Sequence, residues 1–189
     1  MTPLTLASRS PQRRAILEQL GIEFEVQIPD ADELESGPPH EVAIENAYRK
    51  AAAVQSPSGE RTVLGVDTIV SIGSRIWGKP TDQEHAGETL QALSGRRHTV
   101  ISGLCVIAQG RPRTAAATTT VQFRALSDEL IDWYLASGEW RERAGGYAIQ
   151  GRGAALVAAI DGDYTNVVGL PVATLLELAP WLLPIGEPG

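Results

Sequence analysis

Thr62-Val63-Leu64-Gly65-Val66-Asp67-Thr68-Ile69-Val70-Ser71-Ile72 is the stretch on which the fold turns. It is apolar and β-branched, and Gly73-Ser74 closes it with a turn, so it reads as a buried strand. Asp67 interrupts it. An unpaired carboxylate inside such a strand costs on the order of several kcal/mol, a cost that pairing or metal binding offsets. Asp67 is therefore a candidate base or metal ligand; the plainer alternative is an Asp that bonds loop backbone. In a regular strand Asp67 shares a face with Gly65 and Ile69, while Thr68 faces the other way.

Outward from this strand, helical and strand-like segments alternate. On the N-terminal side, Leu4 to Ala7 reads as a short buried strand. Ser10-Pro11 reads as the cap and first residue of a helix to Leu20 that stops at Gly21. Glu23 to Ile28 is strand-like. The acidic run Asp30, Asp32, Glu33, Glu35 is a loop, and a helix follows Pro38-Pro39 to about Val54, with Ser56 to Gly59 as a loop. On the C-terminal side, Arg75 to Trp77 reads as a short strand. Thr81 and Glu84 form a capping box for a helix ending near Leu93. Strands are expected at Thr99–Ile107, Ala116–Phe123 and Ala155–Ile160, and helices from Ser127 to about Ala136 and from Pro171 onward. Alternating elements with hairpin-like strand pairs in the middle predict an α/β protein with a mixed sheet.

Length and composition narrow the class. The 189 residues, 43% hydrophobic and 21% charged, suit one domain, or one domain built as two lobes. A formal net charge of -7 argues against a nucleic-acid partner, though a few local cations can still bind a small phosphate ligand. The single cysteine, Cys105, lies in an apolar run and reads as core. His40, His85 and His98 show no metal-ligand spacing and read as surface or structural residues. The N-terminus lacks the order of a signal peptide. The apolar stretch from Val167 to Ile185 contains Glu177, Pro171 and Pro180, and reads as a core helix rather than a membrane span. The expectation is a cytoplasmic protein with no membrane partner.

Five further segments carry chemistry. Ser8-Arg9-Ser10-Pro11-Gln12-Arg13-Arg14 joins a strand to a helix N-terminus, where free backbone N–H groups, hydroxyls and a guanidinium make a phosphate cradle. It lacks the glycine spacing of a P-loop, and an ordinary capped helix start would look the same. Lys79, in Gly78-Lys79-Pro80, can reach a phosphate as a point charge. Lys50 lies on a helix face crowded with alanines, from which its stem can deliver the ammonium to a cleft or to solvent. Ala144-Gly145-Gly146-Tyr147-Ala148-Ile149-Gln150-Gly151 allows close backbone approach, and Gln150 can read a base edge. Gly162 to Pro171 joins a strand to the last helix.

Taken in order, these segments resemble the Maf family of nucleotide pyrophosphatases over nearly the whole chain. The markers are Leu6–Arg14, Gly65–Val70, Gly78-Lys79-Pro80, Leu93-Ser94-Gly95-Arg96, Ala144–Gly151 and Asn166-Val167-Val168-Gly169-Leu170-Pro171. The resemblance implies a two-lobed α/β fold around a central nucleotide cleft, similar to the inosine triphosphate pyrophosphatases. It implies hydrolysis of a nucleoside triphosphate to the monophosphate and pyrophosphate, which keeps non-standard nucleotides out of nucleic acid. Asp67 falls on the family's catalytic aspartate. Ser8, Arg13, Lys50 and Lys79 fall on its phosphate-binding positions, and Glu33 joins Asp67 at a divalent metal (Mg²⁺, Mn²⁺ or Co²⁺). Thr68 and Gln150 resemble the subgroup that takes dTTP and UTP, whereas another pattern, Asp-Gln paired with a Glu, goes with a methylated GTP. The dTTP/UTP subgroup has Arg where this chain has Gln12, which makes Gln12 a third position bearing on base choice. A homodimer and a role in arresting cell division are also implied. The alternative is a non-catalytic nucleotide-sensing regulator of septum formation, which would have no need for a base.

Overall fold

Thr62–Ile72 is indeed a strand, and the other elements assemble around it. The computed structural model describes residues 4–55 and 61–183. In chain order they form β1 (Leu4–Ala7), α1 (Pro11–Gln19), β2 (Phe24–Gln27), α2 (Pro39–Ala53), β3 (Thr62–Ile72), β4 (Arg75–Trp77), α3 (Gln83–Leu93), β5 (Arg97–Ala108), β6 (Arg111–Phe123), α4 (Asp128–Leu135), β7 (Val157–Asp161), α5 (Tyr164–Val168) and α6 (Val172–Leu178). The loop expected at Ser56–Gly59 lies outside the described residues.

The seven-stranded sheet runs β2-β1-β3-β5-β6-β7, with β4 beside the far end of β3. β1 pairs in parallel with both β2 and β3, and the remaining pairs are antiparallel. This is the mixed sheet expected from the alternation of elements. β1 covers β3 only as far as Gly65, and β4 joins it only from Val70. Among the described residues, positions 66–69 therefore have no strand partner on that edge.

The two faces of β3 meet different layers. Val63, with Cys105 and Ile107 of β5, packs under the alanines Ala47 and Ala51 of α2. Leu64 and Val66, with Leu104 and Val106, pack against Ile16 and Leu17 of α1 and Leu175 of α6. Farther along, Val70 joins a third cluster with Leu90 and Leu93 of α3, Phe123 of β6 and Tyr134 of α4. Cys105 is buried as expected, and burial pushes its thiol up to about 11, which leaves it unreactive at neutral pH.

Two glycines set the depth at which α2 lies. A Cβ on Gly65 would run into the backbone of Ala47 and Ala51, and one on Gly103 into the backbone of Ala43 and Ile44. Gly103 is the cross-strand partner of Asp67. The helix thus sits on bare backbone on either side of Asp67, close enough for its side chains to reach the carboxylate.

Several boundaries differ from expectation. The cap of α3 is Asp82, whose carboxylate accepts the His85 N–H at 2.8 Å, in place of the Thr81/Glu84 box. β5 and β6 are longer than the apolar pattern suggested. Gln109 (φ 52°) and Gly110 (φ 72°) make a two-residue turn that extends the ladder into polar sequence. The strand expected at Ala155–Ile160 begins at Val157, because Arg152–Leu156 is a 3-10 segment. The last helix opens after Pro171 as expected, but as α6 it stops at Leu178, and a 3-10 turn at Pro180–Leu182 follows; the start of the apolar stretch, Val167-Val168, belongs to α5, and positions 184 and 185 lie outside the described residues. Gly169, with φ 128°, ends α5, and prolines at 171 and 180 bracket α6. No helix among the described residues is long and apolar enough to cross a membrane.

Candidate active site

The uncovered edge of β3 opens into a cavity of about 690 Å³. All nine residues singled out in the sequence line it: Ser8, Gln12, Arg13, Glu33, Lys50, Asp67, Thr68, Lys79 and Gln150. Its walls come from the N-terminus of α1, the acidic loop before α2, the 141–150 segment, and Val167–Gly169 at the end of α5.

Asp67 points to the α2 face, as its alternation with Gly65 requires. Lys50 Nζ lies 2.6 Å from its Oδ1 and 2.9 Å from Glu33 Oε2. Asn46 Nδ2 donates to the other oxygen, Oδ2, at 3.1 Å. Asn46 and Lys50 are one helical turn apart, so a single face of α2 holds both oxygens. Asn46 also grips the acidic loop, accepting from Leu34 N at 2.7 Å and donating to Leu34 O at 3.0 Å. Glu33 is brought to Lys50 by this clamp. Asn46 is not among the residues that the sequence singles out. The signal was its place one turn before Lys50 on the alanine-rich face.

Thr68 faces the opposite side, where Arg13 is buried. The three guanidinium nitrogens of Arg13 donate to Gly169 O (2.9 Å), Ser8 Oγ (3.0 Å) and Thr68 Oγ1 (3.2 Å). Burial lowers the basicity of Arg13, opposed by the negative charges of Asp67 and Glu33. Arg13 thus braces the joint between α1, β3 and the end of α5. Ser8 Oγ accepts from Ser10 N as well, at 3.1 Å, and Ser10 Oγ caps α1 while donating to Gln12 Oε1 at 3.1 Å. The first turn of α1, opened by Pro11, borders the cavity with its positive end, although Arg13 N already donates to Ser10 Oγ and Arg14 N to Ser10 O. Thr68 Oγ1 also meets Ser102 Oγ at 2.8 Å.

The far wall is the 141–150 segment. Lys79 is exposed and donates to Glu142 at 3.3 Å, while Gly145 N donates to Gly78 O at 3.0 Å, so the two segments dock together. Gly145 has φ 68°, and a Cβ there would press on Val70. Tyr147 lines the cavity and closes it from behind, its hydroxyl 2.9 Å from His98 Nε2. Gln150 is exposed on the rim, on this same segment.

Chemically, the cleft combines a buried carboxylate, a second carboxylate, several cations and a helix N-terminus, a set suited to an anionic ligand carrying phosphates. Comparison with known proteins agrees with this picture. The family model described as Maf-like protein matches residues 3–180. The chain is 44% identical to a dTTP/UTP pyrophosphatase of Pyrococcus furiosus, over 94% of each chain. It is 47% identical to a dTTP/UTP pyrophosphatase of Thermococcus gammatolerans, over 93% of this chain and 94% of that one. Among solved structures, the Staphylococcus aureus Ham1 protein overlaps 64% of this chain and 71% of its own, with 17% identity and a TM-score of 0.42. On the family model and these relatives together, the chain belongs to the Maf-like proteins.

Proposed function

We propose that this protein is a nucleoside triphosphate pyrophosphatase, cleaving dTTP and UTP to the monophosphate and pyrophosphate. The observation that carries the reading is Asp67, buried on an uncovered strand edge and bonded by Lys50 and Asn46 at the floor of a cleft lined by cations. The names of relatives more than 40% identical over more than 90% of the chain support the substrate assignment.

Asp67 acts as the general base on water. Its two hydrogen bonds fix the plane of the carboxylate. As the water oxygen bonds to phosphorus, Asp67 takes the proton; the bridging bond between the α- and β-phosphates breaks, and pyrophosphate leaves with that bond's electrons. Lys50, Lys79 and the first turn of α1 neutralise the charge that develops on the leaving group. Ser8 and Arg13 bind the phosphates beside it, and Arg13 holds Thr68 and Ser8 in register. Gln12, Thr68 and Gln150 line the cleft where a base is read.

A divalent cation fits the donor set. Asp67 and Glu33 are hard oxygen donors bracketing one ammonium, and Mg²⁺ is commonly held by one or two carboxylates with substrate phosphates completing its shell. Among the described residues no group of three or more His, Cys, Asp or Glu side chains gathers, so such an ion depends on the substrate for the rest of its ligands. When bound, it would supply charge neutralisation on the phosphates. Asp67 and Glu33 are the residues that would hold it.

The test is pyrophosphate release across a panel of nucleotides. Faster release from dTTP and UTP than from the others is expected. Preference for GTP derivatives overturns the substrate assignment, and no release from any nucleotide overturns the activity.

A further inference from the structure

Three charged residues, Arg141-Glu142-Arg143, line the far wall of the cleft. Their neighbours distinguish them. Arg141 stacks on Trp140, its guanidinium carbon 4.5 Å from the ring centroid. Glu142 is engaged with Lys79. Arg143 is half-buried, and its Nε is buried with no hydrogen-bond acceptor among the described residues. It takes part in none of the ion pairs found among them. The carboxylate of Glu139, whose charge Arg143 feels, is itself engaged with the backbone N–H of Arg152 at 2.7 Å.

The other buried cations of the cleft differ from it. Each guanidinium nitrogen of Arg13 already has a protein acceptor and Lys50 has two carboxylates, whereas Arg143 Nε has none among the described residues. A buried guanidinium donor without an acceptor is costly, and an anion that supplies one recovers that cost. The backbone holds Arg143 in place for such a ligand. Glu142 before it has φ 58°, a conformation uncommon for a residue with a side chain, and Gly145 after it is bonded to Gly78.

We propose that Arg143 is a further substrate-binding residue, whose guanidinium takes oxygens of the phosphate chain from the wall opposite Lys50. This rests on the cleft being a nucleoside triphosphate site, as proposed above. The geometry assigns the anion to Arg143 because its planar fork matches phosphate oxygens and because its neighbours have already claimed the other charges on that wall.

The test is titration calorimetry with two probes, inorganic pyrophosphate and uridine, on the whole protein and on Arg143→Gln and Arg143→Lys. Expected is a loss of roughly tenfold or more in pyrophosphate affinity for Arg143→Gln. A smaller loss is expected for Arg143→Lys, which keeps the charge but not the fork, with uridine binding unchanged in both. Unchanged pyrophosphate affinity in both variants overturns the proposal. So does a loss that falls equally on uridine, which would mean that Arg143 shapes the cleft or reads the base. If Arg143→Gln does not fold, the pyrophosphate-against-uridine split in Arg143→Lys decides. Failure of the unaltered protein to hydrolyse any nucleoside triphosphate would instead count against the proposed activity, since the pyrophosphate titration reports on Arg143 without turnover.

Discussion

Lys50 Nζ lies 2.6 Å from Asp67 Oδ1, with the two side chains only 10% and 8% exposed. Two opposite charges are held almost out of water, and each depends on the other. The pair is asymmetric, because Lys50 has a second ion-pair partner in Glu33, while among the described residues Asp67 pairs with no second cation. Lys50→Met leaves a buried carboxylate with only Asn46, and breaking a buried pair in this way costs about 3–5 kcal/mol. Asp67→Asn leaves Lys50 still bonded to Glu33. Urea unfolding should therefore show a markedly larger loss for Lys50→Met than for Asp67→Asn. Equal losses would mean that the two charges do not form one buried unit.

Asn46 links Asp67 to the loop that carries Glu33. Asn46→Ala removes the donor to Asp67 and leaves Leu34 N–H and C=O without their partner, a loss of about 1–3 kcal/mol. Hydrogen exchange at the Leu34 amide should speed up and turnover should fall. An unaltered exchange rate would show that the loop is held by something else.

Gly65 and Gly103 let α2 approach the sheet. A methyl at either position meets helix backbone rather than a movable side chain. Gly103→Ala should cost about 1–3 kcal/mol or more by overpacking, and should lower turnover as well, because α2 carries both Asn46 and Lys50. Loss of stability without loss of turnover would separate the helix position from the site.

His98 predicts a pH dependence of stability. Burial lowers its pKa from 6.5 to about 4, and its one polar contact among the described residues is the Tyr147 hydroxyl. The unfolded chain thus binds a proton that the folded one refuses between these values. Stability is full above pH 6.5, falls as the pH drops toward 4, and levels off for this group below that, a change of about 3 kcal/mol at most. Denaturation midpoints measured across this window should fall on acidification, and His98→Gln should flatten the slope. An identical slope in the variant would remove His98 as the cause.

Much of the site was legible because its chemistry is local in sequence. An Asp in an apolar strand and a Ser-Pro helix start each stand out from their neighbours. What the sequence left obscure depends on the third dimension. Asn46 looked like any polar residue on a helix until Gly65 and Gly103 brought that face onto Asp67. Arg141 and Arg143 are alike in sequence, and only Trp140 and the turn at Glu142 tell them apart. The long β5–β6 hairpin was underestimated because its outer half is polar, and pairing there depends on the turn at Gln109-Gly110 rather than on burial. The last helix opens at Pro171 as its sequence suggests, but it is shorter than its apolar composition implies, because Pro180 allows only a 3-10 turn beyond Ala179.

On the proposed function, Asp67 is the base for cleavage between the α- and β-phosphates. Phosphorus NMR of dTTP incubated with Mg²⁺ and either the unaltered protein or Asp67→Asn tests it most directly. Equal amounts of dTMP and pyrophosphate are expected from the unaltered protein, and neither from a folded Asp67→Asn variant. Formation of dTDP and orthophosphate, or near-normal turnover by Asp67→Asn, would contradict it.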